Sequence, residues 1–235
     1  MFIFATMSYI PSFDDLQQRI LYEDNHLIAV NKRAGEIVQG DKTGDRPLSE
    51  TIKLYLKARD NKPGNVFLGV THRLDRPVSG ICLFAKTSKA LTRLNRMFSE
   101  GEIEKNYLAL VETRPAIPSA ELVHYLTKNE KQNKSYAGTI PGKGAKKAVL
   151  HYTFIKDTDK YYLLEIKLIT GRHHQIRCQL AASGMPVKGD LKYGARRSNP
   201  DGSISLHAHR LEFIHPIRNV PVVIEVPPVF FKGTL

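Results

Sequence analysis

An aspartate set between two arginines is the first place in this sequence where side chains could do chemistry. Asp75 lies in Thr71-His72-Arg73-Leu74-Asp75-Arg76-Pro77, with an apolar run from Val66 to Val70 before it and another from Ile81 to Ala85 after it. Both runs read as short buried strands, because Val, Ile and Phe fit the pleated state. Pro77 and Ser79-Gly80 read as loop formers. A carboxylate fixed on a loop by rigid strands, with Arg73 and Arg76 close by to keep it ionised, has what a nucleophile or general base requires. The same residues would also make an ordinary loop ion pair.

Two further stretches carry chemistry-bearing side chains. Thr170-Gly171-Arg172-His173-His174-Gln175-Ile176-Arg177 joins a predicted strand, Tyr161 to Ile169, to a helix continuing through Leu180 to Gly184. Backbone N–H groups at such a helix start can receive an anion. Neighbouring residues on a helix diverge by about 100 degrees, so His173 and His174 are not expected to share a metal ion. His174 reads as a structural hydrogen-bonding residue. The other stretch, Lys105-Asn106-Tyr107, lies in a predicted strand from Glu102 to Glu112. A tyrosine there can pack in the core or hold an unstacked base against its face.

The elements that would position these groups are legible. Leu27 to Val30 reads as a strand and Lys32-Arg33-Ala34-Gly35 as a turn. Pro47 opens a helix with Leu48, Ile52, Tyr55 and Leu56 on its core face, ended by Pro63-Gly64. Thr87 or Ser88 caps a second helix, with Leu91, Leu94, Met97 and Phe98 inward and Gly101 as terminator. Ala148 to Ile155 pairs with Tyr161 to Ile169 as a hairpin, and Ile204 to Phe213 and Val220 to Val226 alternate like strands. Residues 128–147 hold six lysines against one glutamate and read as a long exposed hairpin or loop, suited to phosphate contact. Residues 1–22 show no strong period. Mostly hairpin-linked strands with three clear helices give an α+β class.

Charge narrows the partner. The 235-residue chain carries a formal +12 with an ordinary 42% hydrophobic and 25% charged composition, which favours a polyanion such as nucleic acid. Its two cysteines, Cys82 and Cys178, form no metal-binding spacing, so no metal site is expected and both thiols read as buried and reduced. Met1 to Ala5 is too short for a secretory core, and no apolar run has membrane-spanning length, so a cytoplasmic protein is expected. Either Met1 or Met7 could be the start.

His72-Arg73-Leu74-Asp75 followed by Ser79-Gly80 resembles the signature of the RluA-type RNA pseudouridine synthases, with Val78 where that family usually has Thr. Asn31-Lys32-Arg33-Ala34-Gly35 is similar to the family's opening Asn-Lys-Pro-Ala-Gly, with Arg33 in place of Pro. Residues 170–177 resemble its Thr-Gly-Arg-x-His-Gln-Ile-Arg stretch. Ser183-Gly184-Met185-Pro186-Val187-Lys188-Gly189-Asp190 and His207-Ala208-His209-Arg210-Leu211 are similar to later motifs, Met185 replacing a usual His. The likeness spans roughly residues 24–228.

The resemblance implies a mixed, mostly antiparallel bent sheet flanked by helices with a central cleft. It implies residues 1–23 as an N-terminal extension and 24–235 as one catalytic domain, with no room for an appended RNA-binding module. It implies isomerisation of uridine to pseudouridine in structured RNA, a tRNA or rRNA stem-loop rather than DNA, without cofactor; a monomer is the default expectation. Asp75 would act on the ribose, Arg177 would pair with it, and Ile176 would pack under Tyr107, which lies on the flipped uracil. Arg73 would enter the gap left by the extruded nucleotide. His72, Lys105, Lys134, Lys146, Arg172, His173 and Arg196 would contact RNA. A non-catalytic basic RNA-binding or chaperone protein is the first alternative. A glycoside or nucleoside hydrolase is the second, weakened because no second acid accompanies the Asp75 loop.

Overall fold

The computed structural model describes residues 13–41 and 43–230, so the expectations about Met1 to Ala5 and Met7 lie outside the described residues. The elements run α1 (Phe13–Gln17), β1 (Ile20–Glu23), β2 (Leu27–Lys32), α2 (Leu48–Arg59), β3 (Gly69–Val70), β4 (Ser79–Ala85), α3 (Ser88–Glu100), β5 (Glu104–Val111), β6 (Ser119–Asn129), β7 (Lys134–Gly138), β8 (Lys146–Asp157), β9 (Tyr162–Leu168), α4 (Gln175–Ala182), β10 (Leu206–Ile214) and β11 (Pro221–Glu225). A short 3-10 turn, Leu191–Tyr193, follows α4.

Strict alternation in β2 and β4 divides the core into two layers. Ile28, Val30, Cys82 and Phe84 face one side of the sheet, with Leu48, Ile52, Tyr55 and Leu56 of α2. Leu27, Ala29, Ile81, Leu83 and Ala85 face the other, with Ala90, Leu94 and Met97 of α3. A period of two along the strands and of three to four along the helices produces this sandwich. The α3 boundaries follow from side-chain chemistry. The Thr87 hydroxyl accepts from the Ala90 N–H, and Gly101 closes the helix at φ 78°.

The described strands form one sheet in the order β1-β2-β4-β10-β5-β9-β8-β6-β7, with β11 on β10 and β3 on β4. Every pairing between these strands is antiparallel except β10 with β4. The mixed, mostly antiparallel architecture is the one expected. Two local expectations change. Ile20–Glu23 pairs with β2, so a boundary at residue 23 falls between two strands of one hairpin. Ser79-Gly80 begins β4 instead of closing a loop. The lysine-rich stretch takes the hairpin form of its expectation, β6 pairing with both β7 and β8.

Candidate active site

The loop carrying Asp75 is fixed from several directions. The Val78 N–H donates to the Asp75 carbonyl at 3.0 Å, and the Gly35 N–H donates to the Arg76 carbonyl at 2.8 Å. Lys32, fully buried, donates through Nζ to the carbonyls of Arg33 (2.8 Å), Arg76 (3.2 Å) and Val78 (2.6 Å). Burial lowers the Lys32 pKa to about 8. Val78 is buried in the core. Arg33, standing in place of a usual proline, supplies an N–H that proline lacks and donates it to Glu36 at 2.8 Å.

Strand register brings Tyr107 beside this loop. Ala208 in β10 lies opposite Gly80 of β4 and opposite Tyr107 of β5, with a register shift in β10 just beyond it. Tyr107 is buried in the same core layer as Leu74, Val78 and Ile176, and burial together with nearby negative charge, including Asp75, raises its hydroxyl pKa.

Gln175 builds the turn before α4. Its Oε1 accepts from the Thr170 hydroxyl (2.8 Å) and the Arg172 N–H (2.9 Å), while its Nε2 donates to the Val149 carbonyl (3.0 Å). From that anchored helix, Arg177 reaches across 102 residues of sequence to donate through Nη1 to Asp75 Oδ2 at 2.8 Å. Its Nε and Nη2 form a fork on Asp190 at 2.6 and 2.9 Å. Burial opposes the guanidinium charge, but the two carboxylates outweigh it and leave its pKa raised. His174 Nε2 lies 3.6 Å from the same Asp75 oxygen.

An acid and a guanidinium locked together beside a buried tyrosine, at the centre of a mixed sheet, match the arrangement implied by the sequence motifs. Residues 26–182 match the family described as RNA pseudouridylate synthase. The chain belongs to that family. It is 30% identical over 94% of its length to tRNA pseudouridine synthase C of Pectobacterium carotovorum subsp. carotovorum, of which it covers 63%. It is 34% identical over 91% of its length to ribosomal large subunit pseudouridine synthase D of Xylella fastidiosa, of which it covers 66%. The chain thus spans slightly less than two thirds of these curated relatives. Its fold matches the solved structure Human RNA Pseudouridylate Synthase Domain Containing 4 with a TM-score of 0.78, at 21% identity and covering 93% and 92% of the two chains.

Several groups of this family member sit differently from the sequence reading. Arg76 turns to Asp45 and to the Thr43 hydroxyl (3.0 Å), so the cation held on Asp75 is the distant Arg177 and not its neighbour. Arg73 is exposed and has no carboxylate partner among the described residues. His72 is committed to the scaffold instead of an RNA face. Its Nε2 accepts from the Leu83 N–H at 3.0 Å, its ring lies 4.9 Å from that of Phe98, and burial lowers its pKa to about 4. The rings of His173 and His174 do not diverge but stack at 3.8 Å, because both precede the first turn of α4 and His174 adopts φ 52°.

The remaining expected contacts are spread out. Lys105 is buried on the Tyr107 side of β5, without a carboxylate partner among the described residues. Lys134 stands over the rings of Tyr136 and Tyr193, and Arg172 donates to the Lys147 carbonyl at 3.1 Å. Lys146 is exposed on β8, and Arg196 is anchored through its backbone to Glu112. Among the described residues no three His, Cys, Asp or Glu side chains converge as a metal site would require. Lys32, Gln175, Asp190 and Tyr193 are structural members of the site to which sequence reading gave no role. Lys32, Gln175 and Asp190 lie inside quoted motifs and Tyr193 three residues beyond one, and that was the available signal.

Proposed function

We propose that this protein isomerises uridine to pseudouridine in structured RNA, with Asp75 as the carboxylate that engages the ribose. The observation that carries this reading is the chain of contacts Asp190–Arg177–Asp75 beside Tyr107. It gives Asp75 a fixed orientation and a charge partner. The reaction breaks the N1–C1′ bond, turns the uracil over, and joins C5 to C1′. The C5 proton leaves and N1 gains one, so composition is unchanged. Asp75 can begin this either by adding to C1′ or by taking the 2′ proton. Tyr107 lies against the detached base, and the buried surroundings keep water from it.

Arg73, exposed and without a carboxylate partner among the described residues, enters the stack where the nucleotide leaves. Flipping costs a few kcal/mol and is cheapest in loops, so a tRNA or rRNA stem-loop is the target. Relatives named for tRNA and for the ribosomal large subunit support both substrate classes. The net charge of +12 supports binding to such RNA. Among the described residues no helix is long and apolar enough to cross a membrane. A cytoplasmic monomer acting on these RNAs completes the proposal.

The test compares RNA from cells with and without the protein after carbodiimide treatment, mapping reverse-transcription stops. A stop present only with the protein, and absent when Asp75→Asn replaces it, supports the reading. Stops that persist with Asp75→Asn remove Asp75 from the mechanism. Identical maps with and without the protein favour the non-catalytic RNA binder.

A further inference from the structure

Both groups that approach the Asp75 carboxylate converge on one of its oxygens. Arg177 Nη1 lies 2.8 Å from Oδ2 and His174 Nε2 lies 3.6 Å from the same atom. Among the described residues Oδ1 has no hydrogen-bond partner. The two oxygens therefore differ, one held by the protein and one open.

The state of His174 follows from its other nitrogen. Nδ1 lies 3.0 Å from the Tyr193 hydroxyl, which also accepts from the Ser135 N–H at 2.8 Å. The phenol O–H has no other acceptor among the described residues, and leaving it unpaired in a buried place would cost free energy. It therefore donates to Nδ1, so the neutral ring carries its hydrogen on Nε2, toward Asp75. Burial also keeps the ring neutral, its pKa lowered to about 3 despite the opposing Asp75 charge.

Ser135 anchors the other end of this path. It is buried, and its hydroxyl donates to the His173 carbonyl at 2.7 Å while its own carbonyl accepts from Cys178 at 3.2 Å. Ser135 lies on β7, next to Lys134 in the lysine-rich hairpin. The histidine's left-handed backbone, φ 52°, is a conformation few non-glycine residues adopt, and it aims the ring into the site.

We propose that His174 is a positioning residue that, together with Arg177, holds Oδ2 of Asp75, so that Oδ1 is the oxygen presented to the ribose. Tyr193 and Ser135 fix which nitrogen of His174 bears the hydrogen. A separation of 3.6 Å is longer than a hydrogen bond. The contact closes when the nucleotide enters, as catalytic contacts seen without substrate commonly do. This inference rests on the reading of Asp75 as the reacting carboxylate.

The experiment uses bulk RNA labelled with 5-tritiated uridine, from cells lacking the protein, and measures tritium released as C5 is joined to the sugar. His174→Phe and Tyr193→Phe are expected to slow single-turnover release about tenfold, with RNA affinity unchanged. His174→Gln, which keeps an N–H near the Nε2 position, recovers most of the loss. Long-range nitrogen–proton NMR of the unaltered protein is expected to show the Nε2–H form of His174, with that preference lost in Tyr193→Phe. Wild-type rates in His174→Phe, or an Nδ1–H ring in the unaltered protein, overturn the inference. Asp75→Asn separates the two readings. Turnover retained there defeats the carboxylate assignment, whereas turnover lost there with full activity in His174→Phe defeats only the role of His174.

Discussion

Lys32 Nζ lies 2.6 Å from the carbonyl oxygen of Val78, three residues beyond Asp75. One ammonium, at the end of β2, thereby closes the loop that carries the acid. It has no carboxylate partner among the described residues, and its three N–H groups are used on three backbone carbonyls. A charge buried this way is costly unless every hydrogen finds an acceptor, and here every one does.

Lys32→Met keeps the length of the stem and removes the donors. The Arg76 carbonyl keeps the Gly35 N–H, but those of Arg33 and Val78 lose the ammonium. At about 1–3 kcal/mol for a buried carbonyl left unpaired, urea unfolding should show a loss of about 2–4 kcal/mol. Turnover should fall more steeply than RNA affinity, because the Asp75 loop loosens while the outer surface is unchanged. Stability equal to the parent would mean the three bonds contribute nothing to the loop.

Tyr107 separates stacking from hydroxyl chemistry. Its ring belongs to the core layer that holds Leu74 and Val78 of the Asp75 loop, and burial opposes ionisation of its hydroxyl. Tyr107→Phe retains the ring and should keep most single-turnover activity. Tyr107→Leu loses the flat face and should cost a further tenfold or more, since base–aromatic stacking contributes about 1–3 kcal/mol. The reverse order would assign the phenol a proton-transfer role.

Local pattern gave the scaffold of this site, and long-range pairing gave its chemistry. Thr87 and Gly101 bound α3 through contacts within a few residues, so their types sufficed. Leu27 to Val30 likewise read as a strand from residue type, whereas which side chain faces which layer came only with the structure. By contrast, nothing near Asp75 reveals that its cation comes from α4 or that Arg76 turns away to Asp45. The partner of Arg177 was reachable only through the family likeness, and the likeness did not bring out Asp190, which holds the guanidinium from behind. His72 shows the limit of motif reading. Placed beside the acid in sequence, it serves as an acceptor for the Leu83 N–H.

Three histidines that burial holds neutral, His72 partly buried and His174 and His207 buried, give stability a pH dependence of definite sign. Burial lowers His72 and His207 to about 4 and His174 to about 3, from an ordinary 6.5. Between those values and 6.5 the unfolded chain binds more protons than the folded one, so stability rises with pH through that window. Their contribution is complete above 6.5 and is lost as pH falls through the folded values. Urea unfolding at about pH 5 should therefore give a free energy several kcal/mol below that at about pH 7.5. His207→Gln, which removes one titrating ring, should flatten the slope. A parent profile level across this range would contradict the neutral buried state of these rings.

Gly80 is the contact where β4 and β10 run side by side. Its φ is +116°, and a methyl group there would meet the Ala208 carbonyl oxygen at 2.3 Å and the Ala208 nitrogen at 2.5 Å. Those atoms are backbone of the strand that also registers Tyr107, so they cannot move without shifting β5 against the Asp75 loop. Gly35 supplies the control, with φ +91° and open space around the added carbon. Gly35→Ala should cost only the strain of its backbone conformation, about 1–2 kcal/mol. Gly80→Ala adds a backbone collision and should exceed about 4 kcal/mol, with turnover lost even where enough folded protein remains to bind RNA. Equal losses in the two variants would show that the close approach of β4 to β10 does not set the geometry between Asp75 and Tyr107.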